Sequence, residues 1–311
     1  MELTDKKILV TGGGGFLGSY VVETLRARGV PMENVFTPRS AEYDLRNRSN
    51  CERVVKDMDV VFHLAANAGG IGYNIKYPGT LFYDNLVMNT ELMEAARKAG
   101  VEKFLGVGSI CSYPKITPLP FHEKDFWNGY PEETNASYGL AKKMMQVQGQ
   151  AYSEEFRFNA ISVQIANLFG PRDSFDPQSS HVIPAIMLKI REAKINNISF
   201  IDVWGTGEPT REFFYVTDAA EGIVLAMEKY DDPTPVNLGS GEEVSIRTVV
   251  ETIAQEMGFT GELRWNPGQP DGQPRRVFDV AKAKETFGFV AGITFTEGIR
   301  ETVAWYKTQQ V

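Results

Sequence analysis

Tyr138 and Lys142 stand four residues apart, a spacing that puts both side chains on one face of a helix. A lysine ammonium beside a phenol favours the phenolate, so the pair predicts a lowered tyrosine pKa. A tyrosine so placed can trade a proton with a carbonyl or an alcohol near neutral pH. Taken alone the pair carries little weight, because Tyr and Lys at this spacing are common on solvated helix faces. Two further stretches change that reading. Ser109-Ile110-Cys111 lies just upstream and offers a hydroxyl and a thiol two residues apart. Thr11-Gly12-Gly13-Gly14-Gly15-Phe16-Leu17-Gly18 lies near the start, with glycine at every third position from Gly12.

The elements that must position these groups read as alternating strands and helices. Ile8-Leu9-Val10 is a short apolar run of the kind buried in parallel sheets. The glycine stretch follows it directly, and a helical pattern runs over 19–28. Gly12, Gly15 and Gly18 allow a tight turn, close backbone approach to a pyrophosphate, and close helix packing, with Phe16 and Leu17 carried in the same turn. The helix N-terminus then offers free N–H groups to phosphates. A second strand is predicted over 34–37. The carboxylate that often holds adenosine ribose hydroxyls in NAD enzymes is missing at its end, and Arg39 stands there instead. A guanidinium suits a 2′-phosphate, which points to NADP(H). Asp44 and Leu45 are placed near the adenine.

A third strand over 59–66 ends in small residues, and Ala65 and Ala66 begin a run to Gly72 that lets the backbone pass close to a cofactor. His63 in that strand reads as packed or hydrogen-bonded rather than catalytic, and Cys51 in a helix over 50–56 reads as inert. A long helix over 82–99 and a fourth strand over 103–108 lead to Ser109. In open α/β sheets ligands bind beyond the carboxyl ends of the strands, which places Ser109 and Cys111 where chemistry would occur. A Pro-rich loop over 115–134, the Tyr138 helix to about 155 and a strand over 159–165 complete a doubly wound pattern. After Gly170-Pro171-Arg172 the texture changes. A helix opens at His181, strands are predicted over 199–204 and 211–216, and Thr217-Asp218 is the predicted cap of a helix to 229. A further strand of the main sheet falls at 236–240, a helix capped by Ser245 follows, and a Pro/Gly-rich loop over 267–276 precedes a terminal helix over 296–309. The fold class is α/β: a doubly wound (Rossmann) parallel sheet over 1–171, with return segments near 211–240, and a smaller α/β substrate-binding lobe over most of 172–311.

Composition excludes other classes. The 311 residues are 42% hydrophobic and 23% charged, with a net charge of −8. That is ordinary for a soluble globular protein and does not suit a polyanion-binding one, so nucleic acid is set aside. Two cysteines and three histidines make no disulfide framework and no metal-ligand cluster. No apolar run approaches the roughly 18 residues of a membrane span. Met1-Glu2-Leu3-Thr4-Asp5 is too polar and acidic for a signal peptide, so a cytoplasmic, reduced protein is expected.

The glycine signature with Ser109, Tyr138 and Lys142 resembles the extended short-chain dehydrogenase/reductases that act on nucleotide sugars. Gly108-Ser109-Ile110-Cys111-Ser112-Tyr113-Pro114, Asn167-Leu168-Phe169-Gly170-Pro171, Ser180-His181-Val182-Ile183-Pro184, Val203-Trp204-Gly205-Thr206-Gly207 and Pro270-Asp271-Gly272-Gln273-Pro274-Arg275 narrow this to the GDP-L-fucose synthases. The resemblance covers nearly the whole chain. It implies an NADPH-dependent enzyme that converts GDP-4-keto-6-deoxy-D-mannose to GDP-L-fucose, epimerising C3 and C5 and then reducing C4, and that forms a homodimer. It implies Ser109, Tyr138 and Lys142 as the reductase triad and Cys111 with His181 as the acid/base pair for epimerisation. It places Asn167 and His181 beside the cofactor, and Lys189, Trp204, Arg211, Asp271 and Arg275 in the GDP-sugar site.

The chemistry is self-consistent. A C4 ketone acidifies the protons on C3 and C5, and one oxygen site formed by Ser109 and Tyr138 would stabilise both the enolate and the later alkoxide. Inversion needs a group on each face that titrates near neutrality, which a thiol and an imidazole supply. A 4,6-dehydratase would need an Asp-Glu pair after the serine, where Ile110-Cys111 stands. A C4 epimerase that keeps NAD bound fits poorly with Arg39 and Cys111. A reductase without epimerisation, a GDP-sugar epimerase without reduction, and a non-catalytic dinucleotide-binding regulator are the remaining readings; the intact Ser109–Tyr138–Lys142 set speaks against the last.

Overall fold

Strand residues of this chain alternate between two apolar layers, and that alternation builds the core. In a computed structural model describing residues 1–177, 180–268 and 273–309, the first strand, β1 (Ile8–Thr11), is buried along its length. It leads into α1 (Phe16–Ala27), β2 (Val35–Phe36), α2 (Arg48–Val54) and β3 (Val60–His63). Then come α3 (Ile71–Lys76), α4 (Pro78–Ala99), β4 (Lys103–Val107), α5 (Ala136–Phe156), β5 (Asn159–Ile165) and β6 (Asn167–Phe169). The remainder is α6 (Val182–Ile195), β7 (Phe200–Trp204), β8 (Thr210–Tyr215), α7 (Val216–Lys229) and β9 (Val236–Leu238). β10 (Glu243–Ser245), α8 (Ile246–Glu256), β11 (Glu262–Asn266), β12 (Arg275–Arg276), α9 (Ala281–Phe287) and α10 (Phe295–Thr308) close the described chain.

The main sheet is parallel with strand order β2-β1-β3-β4-β5-β9. Val10, Phe62, Leu105 and Ile161 face one side, against Val21 and Leu25 of α1 and Ile223 and Met227 of α7. Their neighbours Leu9, Val61, Phe104 and Ala160 face the other, against Leu92, Ala96 and Met145 of α4 and α5. Successive strand residues point to opposite faces, so a strand covered on both sides must be apolar throughout. Each such side chain contributes roughly 1.5–3 kcal/mol on full burial. The doubly wound parallel sheet is thus the architecture expected from the sequence. The order reverses at β1, between β2 and β3, and the crevice there is where such sheets take ligands.

A second core lies between α6, α8 and α10 and strands β7 and β8, built on Met187, Ile190, Val203, Phe213, Val249 and Ile253. β8 is its hub, pairing with β6, β10 and β12. Glu212 in β8 is fully buried and accepts the Phe278 N–H at 2.7 Å and the Gly241 N–H at 2.8 Å. Burial pushes its carboxyl up to about 7 against those hydrogen bonds.

Several boundaries differ from the sequence reading. α1 begins at Phe16, because the glycine turn closes at Gly15, the residue before the helix. α7 begins at Val216, so Thr217 and Asp218 lie inside it and Tyr215 is the capping position. Asp218 instead accepts the N–H groups of Gly292 and Ile293, each at 2.8 Å. α3, α9 and β11 have no counterpart in the sequence reading. β11 buries only Leu263 and Trp265, and only partly, while it pairs with β7. Ser245 does cap α8, its hydroxyl accepting the Thr248 N–H at 3.0 Å. Among the described residues no helix is long and apolar enough to cross a membrane.

Candidate active site

The carboxyl ends of β1, β3 and β4 open onto a cleft of about 1520 Å³, walled on its far side by α6, β7 and the segment before β12. Gly12, Gly15, Phe16, Leu17 and Gly18 line its floor at the start of α1. Gly12 has φ +72°, and a Cβ there would come within 2.9 Å of the Ala65 N. Only glycine fits that left-handed turn without strain. Ala65 and Ala66 continue the floor beyond β3, and Thr11 Oγ1 accepts the Ala65 N–H at 3.3 Å. Arg39 is exposed and lies across Gly14, so closely that a side chain on Gly14 would collide with the guanidinium. Leu45 and Asp44 sit at the same end. Arg46 holds the Asp44 carboxyl below its ordinary range through a 2.8 Å ion pair and also reaches Asp84 at 3.0 Å.

Ser109 follows β4. Its N–H donates to Gln164 Oε1 at 3.0 Å, and its hydroxyl accepts the Cys111 N–H at 3.2 Å, closing a one-turn helix over 110–112. α5 packs directly on this turn at Gly139, where a Cβ would strike the Cys111 carbonyl. That contact, with the Ser112 hydroxyl donating to the Gly139 carbonyl at 3.0 Å, sets Tyr138 and Lys142 beside Ser109 and Cys111. His181 stands at the N-cap of α6 and faces the same cleft. Asp173 faces it too; burial raises its carboxyl and the nearby His181 opposes that.

Asn167 in β6 lines the cleft and donates from Nδ2 to the Glu212 carbonyl at 2.8 Å. Lys189 donates to the Asp202 carbonyl at 2.8 Å and lies 5.9 Å from the Trp204 ring centre. Trp204 is 58% exposed, an indole face open to the cleft. Arg211 also lines it. Arg275 is not among the described residues that line it. Adjacent residues of β12 point opposite ways. Arg275 turns out to pair with Glu243, its Nε 2.9 Å from Oε1, while Arg276 turns in. Asp271 lies outside the described residues. His63 is buried, bonded to Thr11 Oγ1 at 2.8 Å and Asn89 Oδ1 at 2.9 Å, and burial pulls it down to about 3. Burial likewise pushes the Cys51 thiol up to about 12.

A family model for the NAD dependent epimerase/dehydratase family matches residues 8–239. GDP-L-fucose synthase 1 of Arabidopsis thaliana is 37% identical over 309 residues, covering 98% of this chain and 95% of that protein. The chain belongs to the GDP-L-fucose synthase family. Among solved structures, a GDP-6-OMe-4-keto-L-xylo-heptose reductase from C. jejuni superposes with TM-score 0.92 at 26% identity, covering 99% of both chains. A GDP-L-fucose synthetase from Naegleria fowleri bound to NADP superposes with TM-score 0.88 at 29% identity, covering 99% of this chain and 96% of that one.

As a member of the GDP-L-fucose synthase family the chain is an oxidoreductase/epimerase. Its Tyr138–Lys142 pair departs from the sequence expectation in one respect. The Lys142 Nζ is 6.0 Å from the Tyr138 ring centre. Burial, with Cys111 adding to it, pushes the phenol up rather than down, and burial pulls Lys142 to about 8. Desolvation penalises both charged forms and outweighs their mutual attraction. A neutral phenol beside a lysine that titrates near 8 is a proton donor at neutral pH, the role a carbonyl reduction needs. Sequence reasoning passed over Arg276 and Asp173. Strand alternation beside Arg275 was the available signal for the first; Asp173 gave none.

Proposed function

We propose that the protein converts GDP-4-keto-6-deoxy-D-mannose to GDP-L-fucose by epimerising C3 and C5 and reducing C4. The observation that carries this reading is that Ser109, Cys111, Tyr138, Lys142 and His181 line one cleft with the glycine turn. The cofactor is NADP(H). The turn at Gly12, closed against Ala65, is a cradle a side chain would fill, and it leads to the free N–H groups of α1. Gly15, Phe16, Leu17 and Gly18 would hold the pyrophosphate there, with Arg39 at the 2′-phosphate and Asp44 and Leu45 at the adenine. Ala65, Ala66, Asn167 and His181 would lie along the cofactor, with Tyr138 and Lys142 at its reactive end. When bound, NADPH supplies the hydride for C4.

The residues then divide the work. Cys111 and His181 take and return protons at C3 and C5 from opposite faces. Ser109 and Tyr138 donate to the C4 oxygen, which carries the enolate charge first and the alkoxide charge later. Tyr138 gives up its proton in the reduction, and Lys142 supports the charge left behind. Lys189, Trp204 and Arg211 suit the GDP moiety: two cations for phosphates and an open indole face for a base or sugar. A free-thiol mechanism fits a reducing compartment such as the cytoplasm. A homodimer through α4 and α5 is supported by Phe82, Tyr83, Met144 and Val147, which these helices leave exposed.

A second reading has a specific observation behind it, the close superposition on a GDP-6-OMe-4-keto-L-xylo-heptose reductase. In it the chain reduces a GDP-4-keto sugar without inverting C3 or C5. Incubation with NADPH and GDP-4-keto-6-deoxymannose in deuterated water, read by NMR, separates the two. GDP-fucose labelled at C3 and C5 is expected. Cys111→Ser should cut label incorporation by about 10²-fold or more, the usual contribution of one acid/base group, and leave direct reduction in place. A reduced but unlabelled sugar would establish the plain reductase instead.

A further inference from the structure

Cys111 and Arg276 are 165 positions apart in sequence, yet Arg276 Nη1 lies 3.5 Å from Cys111 Sγ in the cleft. This is not a surface guanidinium. Arg276 is 7% exposed. Its Nε donates to Gln273 Oε1 at 2.6 Å, and its Nη2 lies 3.8 Å from the Glu132 carboxylate. Gln273 in turn donates to the Lys115 carbonyl at 2.9 Å. The backbone position is fixed by β12, where Arg276 pairs in register with Arg211 of β8. The planar fork therefore splits its donors among an amide, a distant carboxylate and the thiol.

A sulfur that removes a proton from carbon must carry negative charge when it acts. An unpaired charge in a part-buried cleft is costly, and a cationic donor offsets that cost. We infer that Arg276 is a positioning residue for Cys111: it aims the sulfur into the cleft and pairs with its negative charge during proton transfer. This rests on the acid/base role proposed for Cys111. In that step the Cys111 thiolate takes a proton from the carbon beside the C4 carbonyl. The C–H bond breaks, the S–H bond forms, and the electron pair moves onto the C4 oxygen. Arg276 keeps all its protons, since a guanidinium does not deprotonate in this range.

The test uses the full chain as wild type, Arg276→Met and Arg276→Lys. Iodoacetamide alkylation of Cys111 is followed by peptide mass spectrometry across pH, with buried Cys51 as the unreactive reference. Label incorporation at C3 and C5 and direct reduction are measured alongside. Arg276→Met should slow Cys111 alkylation near pH 7 about tenfold, the worth of one charge-assisted hydrogen bond. Incorporation should fall by a similar factor while reduction changes less than about threefold, and Arg276→Lys should recover part of both losses. Unchanged alkylation overturns the inference. So does an equal fall in incorporation and reduction through KM alone, which would make Arg276 a substrate contact. If the wild type exchanges no protons at C3 or C5 but Arg276→Met still slows alkylation, the pairing stands and the proposed role of Cys111 fails.

Discussion

The two walls of the cleft are made in different ways. The cofactor wall comes from Gly12 to Gly18, Ala65, Ala66 and Ser109, which follow three neighbouring strands of one sheet. Backbone sterics fix it: a left-handed turn at Gly12 and the ladder of β1, β3 and β4. The wall proposed for the substrate takes Lys189, Trp204, Arg211 and Arg276 from separate elements of the second lobe. Buried polar links hold it in place. Glu212 ties β8 to Gly241 and Phe278, and Asn237 Nδ2 donates to the carbonyls of Phe121 at 2.9 Å and Asp279 at 3.1 Å. Backbone rules depend little on pH or on single side chains. Buried polar links carry a desolvation cost and depend on both.

The sharpest probe of that contrast is Tyr138, which sits where the walls meet. Tyr138→Phe keeps the ring and removes the proton donor. Reduction of the 4-keto sugar should fall about 10³-fold or more, within the range for one general acid, while the NADPH Kd stays within about threefold. A matching loss of cofactor affinity would mean that Tyr138 belongs to the cofactor wall. Lys142, pulled by burial to about 8, loses its charge as pH rises through that value. The reduction rate should therefore decline above about pH 8, and Lys142→Met should remove that limb of the profile.

Glu212 tests the other wall. Its carboxyl is raised by burial from an ordinary 4.5 to about 7. Between those values the folded protein binds the proton more than the unfolded chain does. Its contribution to stability is thus greatest below about pH 4.5 and is lost as pH rises through 7. The difference between the two limits is on the order of 3 kcal/mol. Glu212→Gln keeps one acceptor oxygen, enough for the N–H of Phe278 or of Gly241 but not both, and removes the titration. Chemical denaturation at pH 4.5 and pH 7 should show a smaller loss of stability on raising the pH in the variant than in the wild type. Equal slopes would mean that the second lobe is not held through an ionisable link.

The same contrast decides how much could be read in advance. The cofactor wall was legible because its signal is local: a strand, glycines at fixed offsets, and a helix, all within about twenty residues. Ser109 and Tyr138 were legible because the chemistry limits residue type and the sheet rule limits position. The substrate wall was not. Whether Arg275 or Arg276 enters the cleft depends on the register of a two-residue strand, and a slip of one residue exchanges them. Glu212 read as one more polar residue in a short strand, since nothing local shows that it is buried. The lowered pKa expected for Tyr138 failed for the same reason. Spacing revealed the neighbour, and burial, which spacing does not reveal, set the sign.

Arg39 gives the smallest effect and the finest division of the cofactor wall. It is exposed beside Gly14, and its backbone carbonyl accepts the N–H of Tyr43 at 2.9 Å, which shapes the loop after β2. The side chain and the backbone therefore have separable jobs. If the guanidinium meets a 2′-phosphate, Arg39→Ala removes a charge-assisted contact worth about 1.5–3 kcal/mol, or roughly a 10- to 100-fold rise in the NADPH Kd. The Kd for NADH, which lacks that phosphate, should move less than about threefold. Tryptophan or nicotinamide fluorescence titration with both cofactors measures the ratio directly. Equal weakening would assign Arg39 to loop shape alone, and the preference for the phosphorylated cofactor would then have to come from the backbone of the glycine turn, the part of the cleft that side-chain substitution reaches least.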